Sequence, residues 1–166
     1  MIVSKRALQI AALALATSTP AAAQDDQSCG KPLTEQLRRF SEQCLSELTA
    51  FVVSQPKLGA KVYSEKERYY LVLTRMDDAL LVEAVSRPNF PFMKEQTPDL
   101  LKGLGWAAPE NEADNWKKKF PFEQAKDGRA GLELGKALAA YGLKPGEAMS
   151  LTVGPNVTDK PTANPG

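Results

Sequence analysis

Residues 69–85 read YYLVLTRMDDALLVEAV and contain the clearest secondary-structure signal in the chain. Residues 69–74 are rich in aromatic and β-branched side chains, which favours a strand, and residues 79–85 return as a second apolar run. Met76-Asp77-Asp78 between them has the composition of a turn. The two runs are therefore predicted to form an antiparallel hairpin.

An amphipathic helix is predicted before the hairpin. From Leu37 to Val52, apolar residues recur every three or four positions with charged residues between them, so one stripe can pack on a core. Pro56 and Gly59 are expected to end this helix. Val62-Tyr63 is interpreted as a short strand that precedes the hairpin.

A short helix is predicted after the hairpin. Residues 87–91, RPNFP, break the sheet because each proline lacks a backbone donor. Thr97 is a suitable N-cap and Pro98 suits the first helical position. Gly103 or Gly105 can adopt the left-handed conformation that ends a helix.

The rest of the chain is predicted to contain a loop, a helix and a strand. Residues 106–126 are interpreted as a long irregular loop with two tryptophans and two prolines. A helix is predicted over residues 128–141, in which Gly131 and Gly135 are expected to allow close helix packing. Residues 149–153 alternate in polarity and are predicted to form a closing strand.

Together these elements predict an α+β fold, in which a small twisted antiparallel sheet packs with an N-terminal helix, a short middle helix and a C-terminal helix. We expect residues 24–154 to form a single domain. Residues 155–166 are rich in Pro, Asn and Thr and are expected to be a disordered tail.

The first 23 residues have the features of a cleavable signal peptide. Lys5 and Arg6 form a charged region, residues 7–16 are mostly apolar, and Ala21-Ala22-Ala23 provides a small-residue cleavage site. The apolar run is shorter than the roughly 18–20 residues that span a bilayer. We therefore expect a periplasmic or secreted protein with no stable membrane insertion.

The charge balance gives no reason to expect a nucleic-acid partner. The whole chain has a net charge of +1. Removing residues 1–23 takes away Lys5 and Arg6 and no acidic residue, which leaves a net charge of about −1. Binding to phosphate backbones depends on an excess of positive charge, and none is present.

Cys29 and Cys44 are the two cysteines of the chain. In an exported protein, such a pair is expected to form a disulfide more often than a metal site or a reactive thiol. If the first helix begins near Thr34, the arm from Cys29 must fold back along it, nearly extended, to reach Cys44. The alternative is an intermolecular bond, which would make a covalent dimer.

The composition argues against the common catalytic constellations. The chain contains no histidine, so Ser-His-Asp and Cys-His arrangements are excluded and no histidine can bind a metal. No glycine-rich phosphate loop is present, and no cofactor or metal is predicted. Asp77 and Asp78 are assigned to the turn, and Glu83 to a solvent-facing position or a buried ion pair. We expect a protein that is not an enzyme.

The candidate binding residues are four aromatic side chains, Trp106, Trp116, Phe120 and Phe122. The run Lys117-Lys118-Lys119 lies among them, a pattern that single-stranded nucleic acid can use, but a solvated loop held down by aromatic anchors is the preferred interpretation. Aromatic anchors in a loop beside a sheet are common where proteins bind peptides or other proteins. The alternative for Trp106 is that it simply covers the core.

The middle of the chain resembles the TY-Chap domains, a family that groups chaperones similar to those of type III secretion with YbjN-like proteins. The resemblance is carried by the hairpin residues 68–73 and 81–86, by Leu104-Gly105-Trp106 followed by Pro109, and by Asn115-Trp116. It covers roughly residues 48–153. It implies a small α+β fold, a role in binding peptides or unfolded segments, and a possible homodimer, with no catalytic residues.

The expected function is therefore an exported, non-enzymatic peptide- or protein-binding module with a fold like that of a secretion chaperone. A signal peptide and a disulfide depart from the cytoplasmic setting of secretion chaperones. The alternatives are a secreted protein that inhibits an enzyme with a loop and a histidine-free hydrolase built on two carboxylates.

Overall fold

The computed structural model describes Cys29, residues 33–64 and residues 68–155, with the backbone alone for residues 33–36. The predicted signal peptide and all but the first residue of the predicted tail lie outside these residues. The described chain forms six strands and four helices, which follow one another in this order: β1 (Leu33–Arg39), α1 (Glu42–Ser54), β2 (Gly59–Tyr63), β3 (Tyr70–Arg75), β4 (Ala79–Ala84), α2 (Thr97–Gly103), β5 (Trp116–Pro121), α3 (Phe122–Lys126), α4 (Arg129–Tyr141) and β6 (Ala148–Gly154).

The six strands form one antiparallel sheet in the order β1-β6-β2-β3-β4-β5. The predicted hairpin is β3–β4, in which Thr74 pairs with Leu81 and the Met76 N–H donates to the Ala79 carbonyl. The predicted closing strand is β6, which lies between β1 and β2. The α+β fold class predicted from the sequence is confirmed.

The helices lie on one side of the sheet. Leu71 and Leu73 of β3 and Val82 of β4 point to that side and are fully buried. Helix α1 packs against β2, β3 and β4, and α3 against β4 and β5. Helix α4 packs on α1, α2 and α3. Tyr141 of α4 stacks on Tyr69 next to β3, with ring centroids 5.0 Å apart.

Helix α4 approaches α1 closely at Gly131. A Cβ atom at this position would lie 2.4 Å from the Ser46 backbone nitrogen of α1, so no side chain fits there. The Ser46 hydroxyl donates to the Gly128 carbonyl at 3.3 Å. The predicted packing role is confirmed for Gly131, whereas a Cβ atom at Gly135 would make only ordinary contacts.

The structure corrects the predicted start of the first helix. Residues 33–39 form β1, and α1 begins at Glu42 instead of near Leu37. Ser41 is the N-cap, since its Oγ accepts a hydrogen bond from the Cys44 N–H at 3.1 Å. The apolar spacing from Leu37 onward favours a helix, and the segment has only a weak strand propensity. It nevertheless forms a strand because it pairs with β6.

The structure also corrects the interpretation of residues 106–126 as an irregular loop. Trp116–Pro121 form β5, and α3 follows directly. Trp116, Lys118 and Phe120 face the helices, while Lys117 and Lys119 face the other way. The three consecutive lysines hide this alternation in the sequence, because Lys118 is a charged residue on the packed face.

Thr97 does not cap α2 as predicted. Gln96 is the N-cap residue, and Thr97 lies in the first turn with its side chain buried. The Thr97 hydroxyl donates to the Ala140 carbonyl of α4 at 2.9 Å. This hydrogen bond therefore joins α2 to α4 and does not satisfy a backbone N–H group at the start of α2.

Cys29 and Cys44 lie at disulfide distance within the same chain, with their Cα atoms 5.2 Å apart. This geometry fits the predicted disulfide and favours the intramolecular pairing over the intermolecular alternative, although β1 separates the two cysteines where a continuous helix was expected. The Cys29 N–H donates to Glu47 Oε2 at 3.1 Å, which places Cys29 beside the second turn of α1. Within the described chain, no helix combines the length and the apolar character that crossing a membrane requires.

Candidate functional site

The four aromatic residues proposed for binding lie in or against the core. Trp106, Trp116 and Phe120 are only 3%, 7% and 1% exposed. Phe122 is half-buried beneath the Arg75 guanidinium, whose centre lies 5.0 Å from its ring. These side chains fix β5 and α3 to the helices and do not form an exposed patch. Their role in binding stays a prediction.

The sequence around Trp106 ends α2 in a defined turn. Gly105 has a φ of +77°, its N–H donates to the Lys102 carbonyl, and the Trp106 N–H donates to the Leu101 carbonyl. This pair of bonds is a Schellman motif, and Leu101 and Trp106 provide its buried contact. Leu-Gly-Trp, the most specific part of the TY-Chap resemblance, thus has a structural role here.

Asn115, another residue of that resemblance, joins β5 to the loop after β4. Its side-chain oxygen accepts from the Ser86 N–H at 3.2 Å and from the Asn89 amide at 3.1 Å. These bonds hold the loop against the start of β5. Asn115 therefore serves the fold at this position.

The shifted carboxyl groups of the described chain pair with cations. The Lys136 ammonium and then the Lys118 ammonium lower the pKa of the Glu133 carboxyl, and hydrogen bonds from Arg129 lower that of Asp127. A general acid would need the opposite shift. Among the described residues no group of three His, Cys, Asp or Glu side chains is placed to hold a metal ion.

One face of the sheet carries none of the described helices, and we call it the open face. Strand alternation places on it the side chains of Leu37, Arg39, Lys61, Tyr63, Tyr70, Val72, Thr74, Leu81, Glu83, Lys117, Lys119, Ala148, Ser150 and Thr152. Lysine and arginine outnumber acidic residues in this set. The sequence signal for this surface is the two-residue alternation of each strand, which is visible for β6 but not for β1 and β5.

Three cross-strand rows organise the open face. Leu37, Ser150, Tyr63 and Tyr70 are successive register partners in the first row. Thr152, Lys61, Val72, Glu83 and Lys117 make the second. Gly59, Thr74, Leu81 and Lys119 make the third. Partners in neighbouring strands lie about 5 Å apart, so each row forms a continuous track across the sheet.

Lys61 is held in place on the open face by two aromatic rings. Its Nζ lies 5.1 Å from the centroid of the Tyr70 ring and 5.7 Å from that of Tyr63. Tyr63 and Tyr70 pair directly across β2 and β3. The rings attract the ammonium through their π faces and limit its conformational freedom.

The two edges of the sheet differ in how they are protected. At β5, Ala107 forms a bridge with Lys117, and the strand carries three lysines and ends at Pro121. Such features discourage pairing with another strand. At the other edge, β1 pairs with β6, and no described strand pairs with its outer side. Leu37 in β1 is 64% exposed.

A cleft of about 560 Å³ lies at the end of β1 and β6. Its lining consists of Leu37, Arg39, Leu143, Gly146, Glu147, Ala148 and Ser150. Arg39 Nη1 donates to the Gly146 carbonyl at 3.1 Å, which orients the guanidinium along the wall. The cleft offers apolar contact from Leu37 and Leu143 with charged groups beside it. The sequence does not indicate this cleft, because the apolar spacing around Leu37 favours a helix.

Comparisons of the chain with family models, with curated proteins and with solved structures found no match. The geometry of the open face and of β1 is therefore the basis on which a function can be argued.

Proposed function

We propose that this chain is an exported, non-enzymatic peptide- or protein-binding module that binds an extended segment of a partner protein as an added strand beside β1. The observation that carries the proposal is the outer edge of β1, where Leu37 is 64% exposed next to the cleft.

The backbone of β1 supplies the main attraction. An edge strand presents a row of N–H and C=O groups that an extended chain can satisfy by hydrogen bonding. The register of β1 against β6 is irregular between Leu33 and Gln36 and regular from Gln36 to Arg39. The regular part adjoins the cleft, so an added strand would have a regular template where its side chains reach a pocket.

The cleft supplies selectivity. Alternate side chains of an added strand would point to the open-face side of β1, where Leu37 lies and the cleft opens. Leu37 and Leu143 favour an apolar side chain there, and Arg39 favours a neighbouring carboxylate. Main-chain bonds would thus give affinity, and the cleft would discriminate among sequences.

The cysteine pair supports the proposal that the protein is exported, and the carboxyl groups support the proposal that it is not an enzyme. A disulfide between Cys29 and Cys44 is the kind of bond that persists in oxidising compartments outside the cytoplasm. Asp127 and Glu133, whose pKa values are lowered by cations, are suited to ion pairs and not to acid catalysis. The resemblance to TY-Chap domains supports a relationship with peptide-binding chaperones.

A peptide selection tests the proposal. The oxidised protein without residues 1–23 would be used to select binders from a library of displayed random peptides, and affinities would be measured by fluorescence anisotropy. We expect Leu37→Lys to weaken the selected peptides by about tenfold or more, because a lysine on an edge disfavours strand addition.

Leu100→Lys is the matched control, since Leu100 is an exposed leucine of α2 on the helical side of the sheet. Circular dichroism would verify that both variants are folded. The proposal fails if no peptide is selected by the folded protein, or if Leu100→Lys weakens binding as much as Leu37→Lys.

A further inference from the structure

We propose that the open face is a second docking surface, which takes an acidic segment of a partner protein whose Asp or Glu side chains alternate with small apolar ones. The inference rests on the charges and register of the open face and does not depend on strand addition at β1.

Three of the four cations of the open face lie in the second and third cross-strand rows, and the fourth, Arg39, lies at the end of β1 beside the cleft. Lys61 and Lys117 lie in the second row, separated by Val72 and Glu83. Lys119 lies in the third row, next to Leu81. Lys61 and Lys119 thus lie on opposite sides of the apolar residues Val72 and Leu81. This arrangement complements a segment in which acidic side chains flank apolar ones.

Internal ion pairs leave part of this charge available. Lys117 Nζ lies 3.5 Å from Asp114 Oδ1, and Glu83 is the register partner of Lys117. Lys117 is therefore compensated by nearby acids. The side chain of Lys119 is exposed, and none of the described acidic side chains forms a salt bridge with it or with Lys61. Lys61 and Lys119, together with Arg39 of β1, give the face its excess positive charge.

The position of Lys61 favours a carboxylate over a sugar or a nucleobase. Stacking of a flat ligand would need the faces of Tyr63 and Tyr70, and the Lys61 ammonium lies over both rings. A cation that is already positioned loses less side-chain entropy on pairing with an anion. The Lys61 ammonium is thus positioned to pair with a carboxylate of the partner. It also covers the faces of the Tyr63 and Tyr70 rings that a flat ligand would need.

The test uses a fluorescein-labelled ten-residue peptide of alternating Glu and Val, and the same peptide with Lys in place of Glu. Affinity would be measured by anisotropy at low and at high salt. We expect the Glu peptide to bind about tenfold or more tightly than the Lys peptide, and salt to weaken its binding because the charged groups are near the surface.

Two variants remove the cations, and a third is their control. We expect Lys61→Gln and Lys119→Glu each to weaken the Glu peptide by about fivefold or more. Lys126→Glu makes the same charge change as Lys119→Glu on the exposed side of α3 and is expected to change affinity by less than about twofold. Circular dichroism would verify folding of each variant.

Several outcomes would overturn the inference. One is an equal loss with Lys126→Glu, which would indicate attraction to net charge alone, and another is equal binding of the Lys peptide. Displacement of the Glu peptide by a neutral oligosaccharide would assign the face to sugar binding instead. Leu37→Lys separates this result from that of the strand-addition proposal, because Leu37 lies in the first row at the β1 edge whereas Lys61 and Lys119 lie in the second and third rows. We expect this variant to keep its affinity for the Glu peptide, and a tenfold loss would assign the peptide to the β1 edge instead.

Discussion

Gly131 shows how a single residue sets the distance between two helices. The space for its Cβ atom is occupied by the backbone of Ser46, with the nitrogen at 2.4 Å and the Cα atom at 2.5 Å. Backbone atoms cannot rotate away as a flexible side chain can. The hydrogen bond from the Ser46 hydroxyl to the Gly128 carbonyl depends on the same close approach.

Gly131→Ala is therefore expected to destabilise the protein by roughly 2–3 kcal/mol, since α1 and α4 must separate to admit a methyl group. Chemical denaturation would measure the change. Gly103→Ala is the control, because no atom lies within 4 Å of its Cβ position and alanine favours a helix. A Gly131→Ala variant as stable as Gly103→Ala would contradict the described helix crossing.

Among the elements, β5 is joined to the helical layer by one lysine as well as by its buried aromatic side chains. Lys118 Nζ donates to the Leu104 carbonyl at the end of α2, at 2.5 Å, and to Glu133 of α4, at 3.0 Å. Lys136 donates to the other oxygen of Glu133 at 2.8 Å. A single carboxylate thus receives two cations and links β5 to α4.

This link predicts a pH dependence with a definite sign. The hydrogen bond from Lys136 and the contact with Lys118 lower the pKa of Glu133 in the folded protein. Its stabilisation is therefore present above the unfolded-state pKa and is lost as the pH falls through the lower, folded-state value.

Glu133→Gln lacks this contribution and is expected to lose less stability on acidification than the wild type, by up to about 1 kcal/mol, when unfolding is measured from pH 6 down to about pH 3. Glu112→Gln, in an exposed loop, provides the control and should follow the wild type. Parallel pH profiles for the wild type and Glu133→Gln would show that the ion pairs do not contribute.

At the scale of the whole molecule, the regular elements with a strong periodic pattern were predictable. The β3–β4 hairpin, α4 and β6 follow from apolar periodicity and turn residues, because each buries one regular face. Gly142, with a φ of +104°, follows the last residue of α4 and ends the helix. These elements suffice to predict the α+β class.

The two edge strands were not predictable from local pattern. β1 reads LTEQLRR, and its strand state depends on pairing with β6, more than a hundred residues later. β5 reads WKKKFP, and its packed face includes Lys118. Both strands depend on long-range contacts that a local window cannot contain, and both were therefore missed.

The candidate site was missed for the same reason. The face is open because the four described helices pack on the other side of the sheet, and a local sequence window does not contain the distant helices that decide this. Aromatic residues drew attention to Trp106 and Trp116, which are buried, whereas Tyr63 and Tyr70 lie on the open face. Which side chains are exposed depends on the assembled fold. Composition alone could therefore not distinguish the buried tryptophans from the tyrosines on the open face.

Hydrogen–deuterium exchange with and without a selected peptide tests the central claim that β1 binds an extended segment as an added strand. We expect the amides of residues 36–39 that point away from β6 to exchange about tenfold or more slowly in the complex, while those of β5 at the far edge are unchanged. Protection confined to β5 or to the helices, with β1 exchanging as in the free protein, would contradict the claim.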